Sequence, residues 1–387
     1  MNLAFPSSKR LILRFGMKFF TLLQPLLALL VLFLPAAFAV IFANRFADYL
    51  YDPLASILES NLSVINSLPS FPAALFGGNY GLVAMFPFLI LYAFPTIIVF
   101  SFIIEVYRSS GLIDRISVAL QPLLRPIGLG SRDLVRVVMG FGCNVPAIVS
   151  TRDCHSCARG SCVSAISFGS ACSYQMSSTL AVFAAVGMIW MGLTYLLILA
   201  VTTLIYIRFT TPKALRLATN KLEQSVASPL IPPSWKTVWR ETFSNIKQFF
   251  VMAVPVFIVI CFLAAILDWL GLLSWSSKVL APALALFNLP GDAASAIVLG
   301  AIRKDGIAIG LLDNGGEGLK AEIAMPVQVM TAVYLAGVFL PCLVTVFTII
   351  REISWKFAVK LCARQIVWAA GFGMIIAWGG VLLFNPN

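Results

Sequence analysis

The sequence predicts an all-α, polytopic membrane protein with about seven full crossings, two broken or re-entrant segments and an inverted internal repeat. Apolar residues make up 60% of the 387 residues and charged residues only 11%, whereas soluble domains are about half apolar and a quarter charged. The apolar residues form long runs, and the basic residues are gathered between those runs. This pattern argues against a soluble enzyme and against a nucleic-acid-binding protein, although the net charge is +11.

Seven apolar runs are long enough to span about 30 Å of hydrocarbon as helices. They cover residues 20–43, 82–107, 165–186, 188–207, 249–270, 326–350 and 358–384. Two shorter runs, 134–150 and 293–312, are interrupted by glycine, proline or charge, so we expect each to enter and leave the membrane on one side. The run after the basic segment 1–19 is too long for a cleaved signal peptide.

The distribution of lysine and arginine predicts the orientation in the membrane. Residues 44–79 and 271–292 hold a single basic residue each. The other loops are basic, and they comprise residues 1–19, 108–136, 208–240 and 351–364. We therefore expect the N-terminus and the basic loops to face the cytoplasm.

One order of segments occurs twice. Residues 80–208 and 244–387 each contain a crossing, an amphipathic stretch, an interrupted run and two further crossings. By the charge count, the first repeat begins outside and the second inside, so the repeats are inverted. Such repeats place the substrate site of secondary transporters near the middle of the membrane. The other segments are a basic juxtamembrane segment (1–19), a first crossing with its outside loop (20–79) and a basic cytoplasmic linker (209–243).

The first interrupted run contains a candidate metal site in the sequence GFGCNVPAI. Pro146 cannot donate a backbone hydrogen bond, so the Gly142 carbonyl is released beside the Cys143 thiol and the Asn144 amide. Unsatisfied polar backbone is costly in hydrocarbon, so a break of this kind is expected to line a cavity or a site.

The crossings that follow the two interrupted runs carry further thiols. Cys172 lies in the first of these crossings. Cys342 lies in the second and follows Pro341, which releases the Gly337 carbonyl in the same manner. The alternative interpretation is that such cysteines are small apolar packing residues.

The second interrupted run contains three ionisable residues in succession: Arg303, Lys304 and Asp305. Ionisable residues at membrane depth are costly unless they are paired or solvated, so they are functional by default. We expect Lys304 to pair with Asp305 or with a neighbouring helix. The competing interpretation ends the membrane segment at Arg303 and leaves the charges in water.

Four of these segments together resemble the membrane part of FeoB-type ferrous iron transporters, in the same order and with similar spacings. Asp305 stands where that family usually has glutamate. The matching segments are the first gate motif (140–152, GFGCNVPAIVSTR), the cysteine-bearing crossing (170–173 with 181–185), the second gate (300–312) and the closing segment (340–356, LPCLVTVFTIIREISWK).

The resemblance implies an importer of ferrous iron rather than an enzyme, with Fe²⁺ as the substrate. Iron(II) accepts mixed sulfur, nitrogen and oxygen ligands. The transport residues would be Cys143, Asn144, Gly142, Cys172 and Asp305, with Pro146, Lys304, Glu105 and Cys342 in supporting positions.

Three features depart from the family pattern. The family begins with a GTP-binding domain, but this sequence has no G-x-x-x-x-G-K-[ST] loop, so we expect no nucleotide site in it. Any GTP hydrolysis would belong to a separate GTP-binding protein, for which the basic loops 108–136 and 208–240 are candidate docking surfaces.

Where the family tends to have an acidic residue, this sequence has Arg108-Ser109-Ser110, and Glu105 is the candidate substitute. Membrane lipid is an expected partner, and the oligomeric state is left open.

A cysteine-rich segment, DCHSCARGSC, has no counterpart in the family pattern. Its Cys154, His155, Cys157 and Cys162 form a candidate second metal site, because closely spaced thiols with an imidazole nearby can bind metal. Disulfide or redox pairing and incidental cysteines are the alternatives. The charge count places the segment in the cytoplasm, where a structural disulfide is disfavoured.

Two other functions remain open from the sequence. The chain would be a permease for a small organic solute if only the fold were shared with the family. It would be a metal-sensing or assembly protein if it kept that fold without conducting.

Overall fold

The computed structural model describes residues 94–384 apart from 125, 155, 214–228, 292, 305 and 313–324, together with 62–65, 67–78, 81–83, 90–91 and scattered positions between 24 and 53. Every regular element in these residues is helical, which confirms the fold class. Three described helical segments are long and apolar enough to cross a membrane, and a bent pair of helices is a fourth candidate. The total number of crossings stays a prediction.

The described helices include two sets of seven that follow one order. Helix α1 (Ser70–Phe76) precedes both sets. The first set comprises α2 (Phe94–Ser109), α3 (Leu112–Leu124), α4 (Ser131–Met139), α5 (Asn144–Val149), α6 (Ser156–Gly169), α7 (Ser173–Ala185) and α8 (Met191–Thr210). After α9 (Trp235–Gln248), the second set comprises α10 (Val254–Trp269), α11 (Leu272–Leu284), α12 (Ala293–Ile302), α13 (Gly306–Leu312), α14 (Pro326–Val338), α15 (Leu343–Glu352) and α16 (Trp355–Phe384). This order agrees with an internal repeat, whose inversion still rests on the charge count.

In each set, the third and fourth helices form a hairpin whose two ends meet. In the first hairpin (α4–α5), Arg136 Nε donates to the Ser150 carbonyl at 3.2 Å. In the second hairpin (α12–α13), Ser295 Oγ donates to the Gly310 carbonyl at 2.9 Å. The chain therefore leaves each hairpin at the end where it entered, as expected of the two interrupted runs.

The break in the first hairpin follows from its sequence. Helix α4 ends before Gly140, and α5 begins after Cys143, whose backbone is extended. Pro146 lies in the first turn of α5, where backbone N–H groups have no helical partner. The proline therefore fits the start of α5, and it prevents a helical hydrogen bond to the Gly142 carbonyl within the break.

Two of the predicted crossings are themselves interrupted. The run 165–186 is divided between α6 and α7 at residues 170–172, and the run 326–350 is divided between α14 and α15 at residues 339–342. Pro341 lacks the N–H that would continue α14. In the first case, the Ser170 hydroxyl donates to the Val137 carbonyl of α4 at 2.6 Å, so the break is joined to the first hairpin. Apolar composition alone does not reveal such breaks.

The four broken segments pack across the two sets. We call α6–α7 the first broken crossing and α14–α15 the second broken crossing. Within each set the hairpin contacts the broken crossing, through α4 and α6 or through α12 and α14. Between the sets, α5 contacts α15 and α13 contacts α7. This reciprocal packing brings the breaks of both sets toward one region of the molecule.

The predicted linker 209–243 ends in a helix. Helix α9 packs against α2, where the Phe102 ring lies 6.4 Å from Trp235 and 5.2 Å from Trp239. Residues 214–228 of the linker lie outside the described residues. The domain boundaries therefore remain a prediction.

Candidate metal transport site

Three cysteines occupy equivalent positions at the breaks. Cys143 is the N-cap residue of α5, Cys172 that of α7 and Cys342 that of α15. The Cys342 sulfur lies 3.1 Å from Thr345 Oγ1 in the first turn of α15, so the two side chains share a hydrogen bond. The positive end of a helix dipole stabilises negative charge at this position, and the thiolate is the form of cysteine that binds metal. The sequence analysis selected the three cysteines but not this shared position.

The three thiols face one region without forming a closed set of ligands. Cys143 interacts electrostatically with both Cys172 and Cys342, and so does the Lys304 ammonium. Among the described residues, the three sulfur atoms do not all come within 4.8 Å of one another. The structure thus brings the thiols into one neighbourhood but not into a preformed metal cage.

Asn144 provides a buried acceptor beside Cys143. Its side chain is 6% exposed, and Oδ1 has no hydrogen-bond partner among the described residues. Leaving such an oxygen unpaired costs about 1–3 kcal/mol. Gly140 makes room for this arrangement, since a Cβ atom there would lie 2.9 Å from Asn144 Oδ1 and 2.5 Å from Ser170 Oγ. The first break therefore presents an unpaired oxygen on the residue that follows Cys143.

The second break is filled by an ammonium group. Lys304 is 5% exposed, and its Nζ donates to the carbonyls of Leu340 at 2.6 Å, Gly337 at 2.8 Å and Ala336 at 3.3 Å. An ammonium has three donors, and each has a carbonyl acceptor here. Pro341 explains why the Gly337 carbonyl lacks a helical partner. Lys304 therefore pairs with a neighbouring helix, which was one of the two expected arrangements.

The charges of the second break are not in water. Arg303 is 7% exposed, and its guanidinium carbon lies 4.7 Å from the centre of the Phe257 ring. The interpretation that Arg303 and Lys304 are solvated is therefore wrong. Asp305 lies outside the described residues, so its role stays a prediction.

Glu105 has partners of its own. Its side chain is buried, and Oε1 accepts a hydrogen bond from Arg108 at 3.1 Å. Asn245 and Glu241 of α9 are its other neighbours. These contacts join α2 to α9, and the proposed substitution for the family's acidic residue stays a prediction.

An ion pair that the sequence analysis missed joins the first gate motif to the closing segment. Arg152 donates to Glu352 through Nε at 2.7 Å and through Nη2 at 2.5 Å, and Arg159 donates at 3.3 Å. The Glu352 side chain is 4% exposed. A possible signal was that both motifs have charged residues near their C-terminal ends. Neither sequence, however, indicates which charged residue pairs with which.

The structure brings together part of the cysteine-rich segment. Cys154 and Cys162 lie beside Asp133, which the sequence analysis did not select. His155 and the side chain of Cys157 lie outside the described part of the chain. All seven cysteines described are free thiols, so disulfide pairing is not seen among them.

Comparison with known proteins relates this arrangement to a family. The Gate family model, described as nucleoside recognition, matches residues 90–204 and 250–356, which contain most of both sets of helices. The Fe(2+) transporter FeoB of Methanocaldococcus jannaschii is 25% identical over 379 residues, covering 87% of this chain and 53% of that protein. The Fe(2+) transporter FeoB of Staphylococcus aureus is 28% identical over 160 residues, covering 40% and 24%. The chain thus spans about half the length of the first relative and a smaller part of the second.

Two further similarities cover very different extents. A Fe(2+) transport protein A/Fe(2+) transporter FeoB fusion protein of Porphyromonas gingivalis is 36% identical over 62 residues, covering 16% of this chain and 7% of that protein. A solved structure of a CNTnw variant in an outward-facing state aligns with 93% of this chain and 99% of that chain, at 12% identity and a TM-score of 0.36. A structural similarity of that size supports no argument about the site.

Proposed function

Because this chain belongs to the Gate family and its relatives are named as ferrous iron transporters, we propose that it imports ferrous iron, or a similar divalent first-row cation. The resemblance to the FeoB membrane domain, seen first in the motifs, is supported by both comparisons, and the protein is an integral membrane protein. Import into the cytoplasm, with the N-terminus on that side of a bacterial inner membrane, is part of the proposal.

The transport site in this proposal lies at the first break. One observation carries it: Asn144, the residue that follows Cys143, has a buried Oδ1 with no hydrogen-bond partner among the described residues. Cys172 and the Gly142 carbonyl complete a set of sulfur and oxygen ligands that suits iron(II). Burial disfavours a thiolate without a counter-charge, so each sulfur becomes a ligand as the cation arrives. Such ligation is exchangeable, as conduction requires.

The second break supplies fixed charge. Lys304 already satisfies the carbonyls at the end of α14, so the cation does not need to bind there. Asp305 is the proposed counter-charge for the crossing ion. Asp305→Asn should therefore abolish uptake, and Asp305→Glu should preserve it, since either carboxylate offsets a cation in a low-dielectric region.

The energy source is proposed to lie on another chain. A separate GTP-binding protein would dock on the basic cytoplasmic loops, where Arg108 of the first loop and Arg240 of the second have largely exposed side chains. No nucleotide site is proposed in this chain.

Iron uptake into proteoliposomes tests the transport site. Cys143→Ser and Cys172→Ser should each lower the initial rate of Fe²⁺ uptake about 10-fold or more, the scale on which disturbed metal sites lose function. Expression and thermal unfolding should be unchanged. Cys261→Ser and Cys362→Ser are the matched controls, because these cysteines lie within α10 and α16 and neither is the N-cap residue of a helix. Normal uptake by both Cys143→Ser and Cys172→Ser would show that these cysteines are packing residues and not metal ligands.

The same liposomes distinguish the other functions. The description of the Gate family favours a small organic solute such as a nucleoside as the second candidate substrate. Nucleoside uptake without Fe²⁺ uptake would identify a permease. The absence of both fluxes would favour the non-conducting protein.

A further inference from the structure

A compact group of potential metal ligands lies at the open end of the first hairpin. One ligand atom each from Asp133, Cys154 and Cys162 lies within 4.8 Å of the other two. The Cys154 thiol donates to Asp133 Oδ1 at 3.4 Å, and Cys162 Sγ lies 3.9 Å from the Asp133 carbonyl oxygen. No other group of three such ligands occurs in the described part of the chain.

Three neighbouring structural elements position these ligands. Asp133 lies in the first turn of α4, and Cys154 follows the short 3-10 helix (Ser150–Asp153) that continues α5. Cys162 lies on α6, which packs against α4. The return of the first hairpin is therefore what places Cys154 beside Asp133.

We infer that Asp133, Cys154 and Cys162 bind a divalent first-row cation. Two thiolates and one carboxylate suit a borderline cation such as Zn²⁺, Co²⁺ or Fe²⁺, and they do not suit Mg²⁺ or Ca²⁺. Bond lengths of about 2.3 Å to sulfur and 2.0–2.2 Å to oxygen place tetrahedral ligands about 3.5–3.8 Å apart. The three ligand atoms, which lie within 4.8 Å of one another, reach that spacing if each pair moves closer by about 1 Å or less. Three protein ligands leave a fourth position open for exchange.

The carboxylate of this site is already oriented. Asp133 Oδ2 accepts from the Gly130 backbone N–H at 3.2 Å, and Oδ1 accepts from Arg136 at 3.0 Å. Hydrogen bonds of this kind orient metal ligands, and a carboxylate has lone pairs left for the metal. Arg136 also donates to Ser150, so the site is connected to the last residues of the first hairpin.

The site has a specific place in transport. By the charge count, the open end of the first hairpin faces the cytoplasm, so an ion released at the first break would meet Cys154 and Cys162 as it leaves. This role as a receiving site rests on the proposed function, whereas metal binding at the site does not.

Cobalt titration of the purified full-length protein tests the binding. Co²⁺ bound to thiolates gives a near-ultraviolet charge-transfer absorption. Cys154→Ser should reduce this absorption, and Asp133→Asn should weaken the affinity about 10-fold or more. Asp133→Asn keeps an oxygen that can accept from Gly130, so the cap of α4 is preserved. Cys362→Ser, which alters a cysteine outside the group, should bind Co²⁺ as the wild type does. Unchanged affinity and absorption in Cys154→Ser would overturn the inference.

A second measurement avoids substitution of the fully buried Cys162. Alkylation of Cys154, followed by peptide mass spectrometry, should be slowed by added Zn²⁺ in the wild type and equally in Cys143→Ser. A labelling rate that does not respond to Zn²⁺ would also overturn the site. Strong labelling of Cys154 by an impermeant maleimide on intact cells would contradict the cytoplasmic position.

These experiments distinguish a failure of the metal-site inference from a failure of the proposed transport function. Cys154→Ser should lower the metal retained by the purified protein more than the initial rate of uptake, and Cys143→Ser should do the reverse. Metal retention without any Fe²⁺ uptake in the wild type would remove the proposed function and leave the site. Uptake without metal protection of Cys154 would remove the site and leave the function.

Discussion

The two hairpin breaks satisfy their polar groups in opposite ways. At the second break, the Lys304 ammonium donates to three carbonyls at the end of α14. At the first break, the Asn144 amide oxygen has no hydrogen-bond partner among the described residues. The second break therefore contains a tethered ammonium group, and under the proposed function the first break supplies ligands for a mobile cation.

This difference suggests why two similar halves need not hold two ions. A tethered ammonium cannot leave, so the second break keeps a fixed arrangement of α12 and α14. At the first break, the cysteines form no closed set of metal ligands among the described residues, so in the proposed mechanism this break binds and releases the ion. The predictions below separate these roles, in order of decreasing effect on transport.

Lys304→Met should cause the largest change. Removal of the ammonium leaves three buried carbonyls without their donor, which at about 1–3 kcal/mol for an unsatisfied group lowers stability by about 3 kcal/mol or more. Fe²⁺ uptake should be lost as well. Thermal unfolding and uptake are measured together, with Lys360→Met as the control because Lys360 is exposed on α16. A wild-type unfolding midpoint would show that the carbonyls find other donors.

Asn144→Leu should abolish uptake without loss of stability. The substitution replaces an unpaired buried oxygen by an apolar group of similar size, so the free energy of unfolding should stay the same or rise. Gln175→Leu is the contrasting control, because its buried amide donates to Tyr195 Oη at 2.6 Å. That variant should be destabilised by about 1–3 kcal/mol. A comparable loss of stability in Asn144→Leu would mean that Oδ1 is already paired.

Gly140→Ala and Gly300→Ala should each destabilise the packing of a hairpin against its broken crossing. An added Cβ would lie 2.5 Å from Ser170 Oγ in the first case and 2.7 Å from the Ala336 carbonyl oxygen in the second. Overpacking of this kind costs about 1–3 kcal/mol. Uptake should fall in both variants.

The control for the glycine substitutions is Gly371→Ala. Gly371 lies within α16, and an added Cβ there meets nothing within 4 Å. Alanine is favoured over glycine by about 0.5–1 kcal/mol inside a helix, so this variant should be slightly stabilised. Equal effects in all three glycine variants would contradict a special role for the two breaks.

Glu352→Gln should have the smallest effect. The neutral amide weakens the ion pairs with Arg152 and Arg159, and the cost is about 1–3 kcal/mol because the Glu352 side chain is buried although Arg152 is half exposed. Chemical denaturation measures the change, and uptake should persist. Glu241→Gln alters an exposed pair with Arg240 and should change stability very little. A larger effect on uptake than on stability would instead identify Glu352 as part of the gating machinery.

Much of the first break could be predicted from sequence because its determinants are local. Cys143, Asn144 and Pro146 are close neighbours in the chain, and proline acts on its own turn wherever it occurs. The break between α6 and α7 was missed because nothing in its sequence excludes a continuous helix. Asp133 was missed because it caps α4, and its proximity to Cys154 depends on the return of the hairpin.

The sequence alone determined that this is a helical membrane protein with two re-entrant hairpins, because hydrophobicity, glycine and proline act over a few neighbouring residues. Only the tertiary structure decided which polar groups are paired. Lys304 donates to the carbonyl of Leu340, which is 36 residues away in the sequence. Arg152 donates to Glu352 across a sequence separation of 200 residues. In a low-dielectric interior such pairings are strongly favoured, but their partners are chosen by helix packing, which no local pattern records.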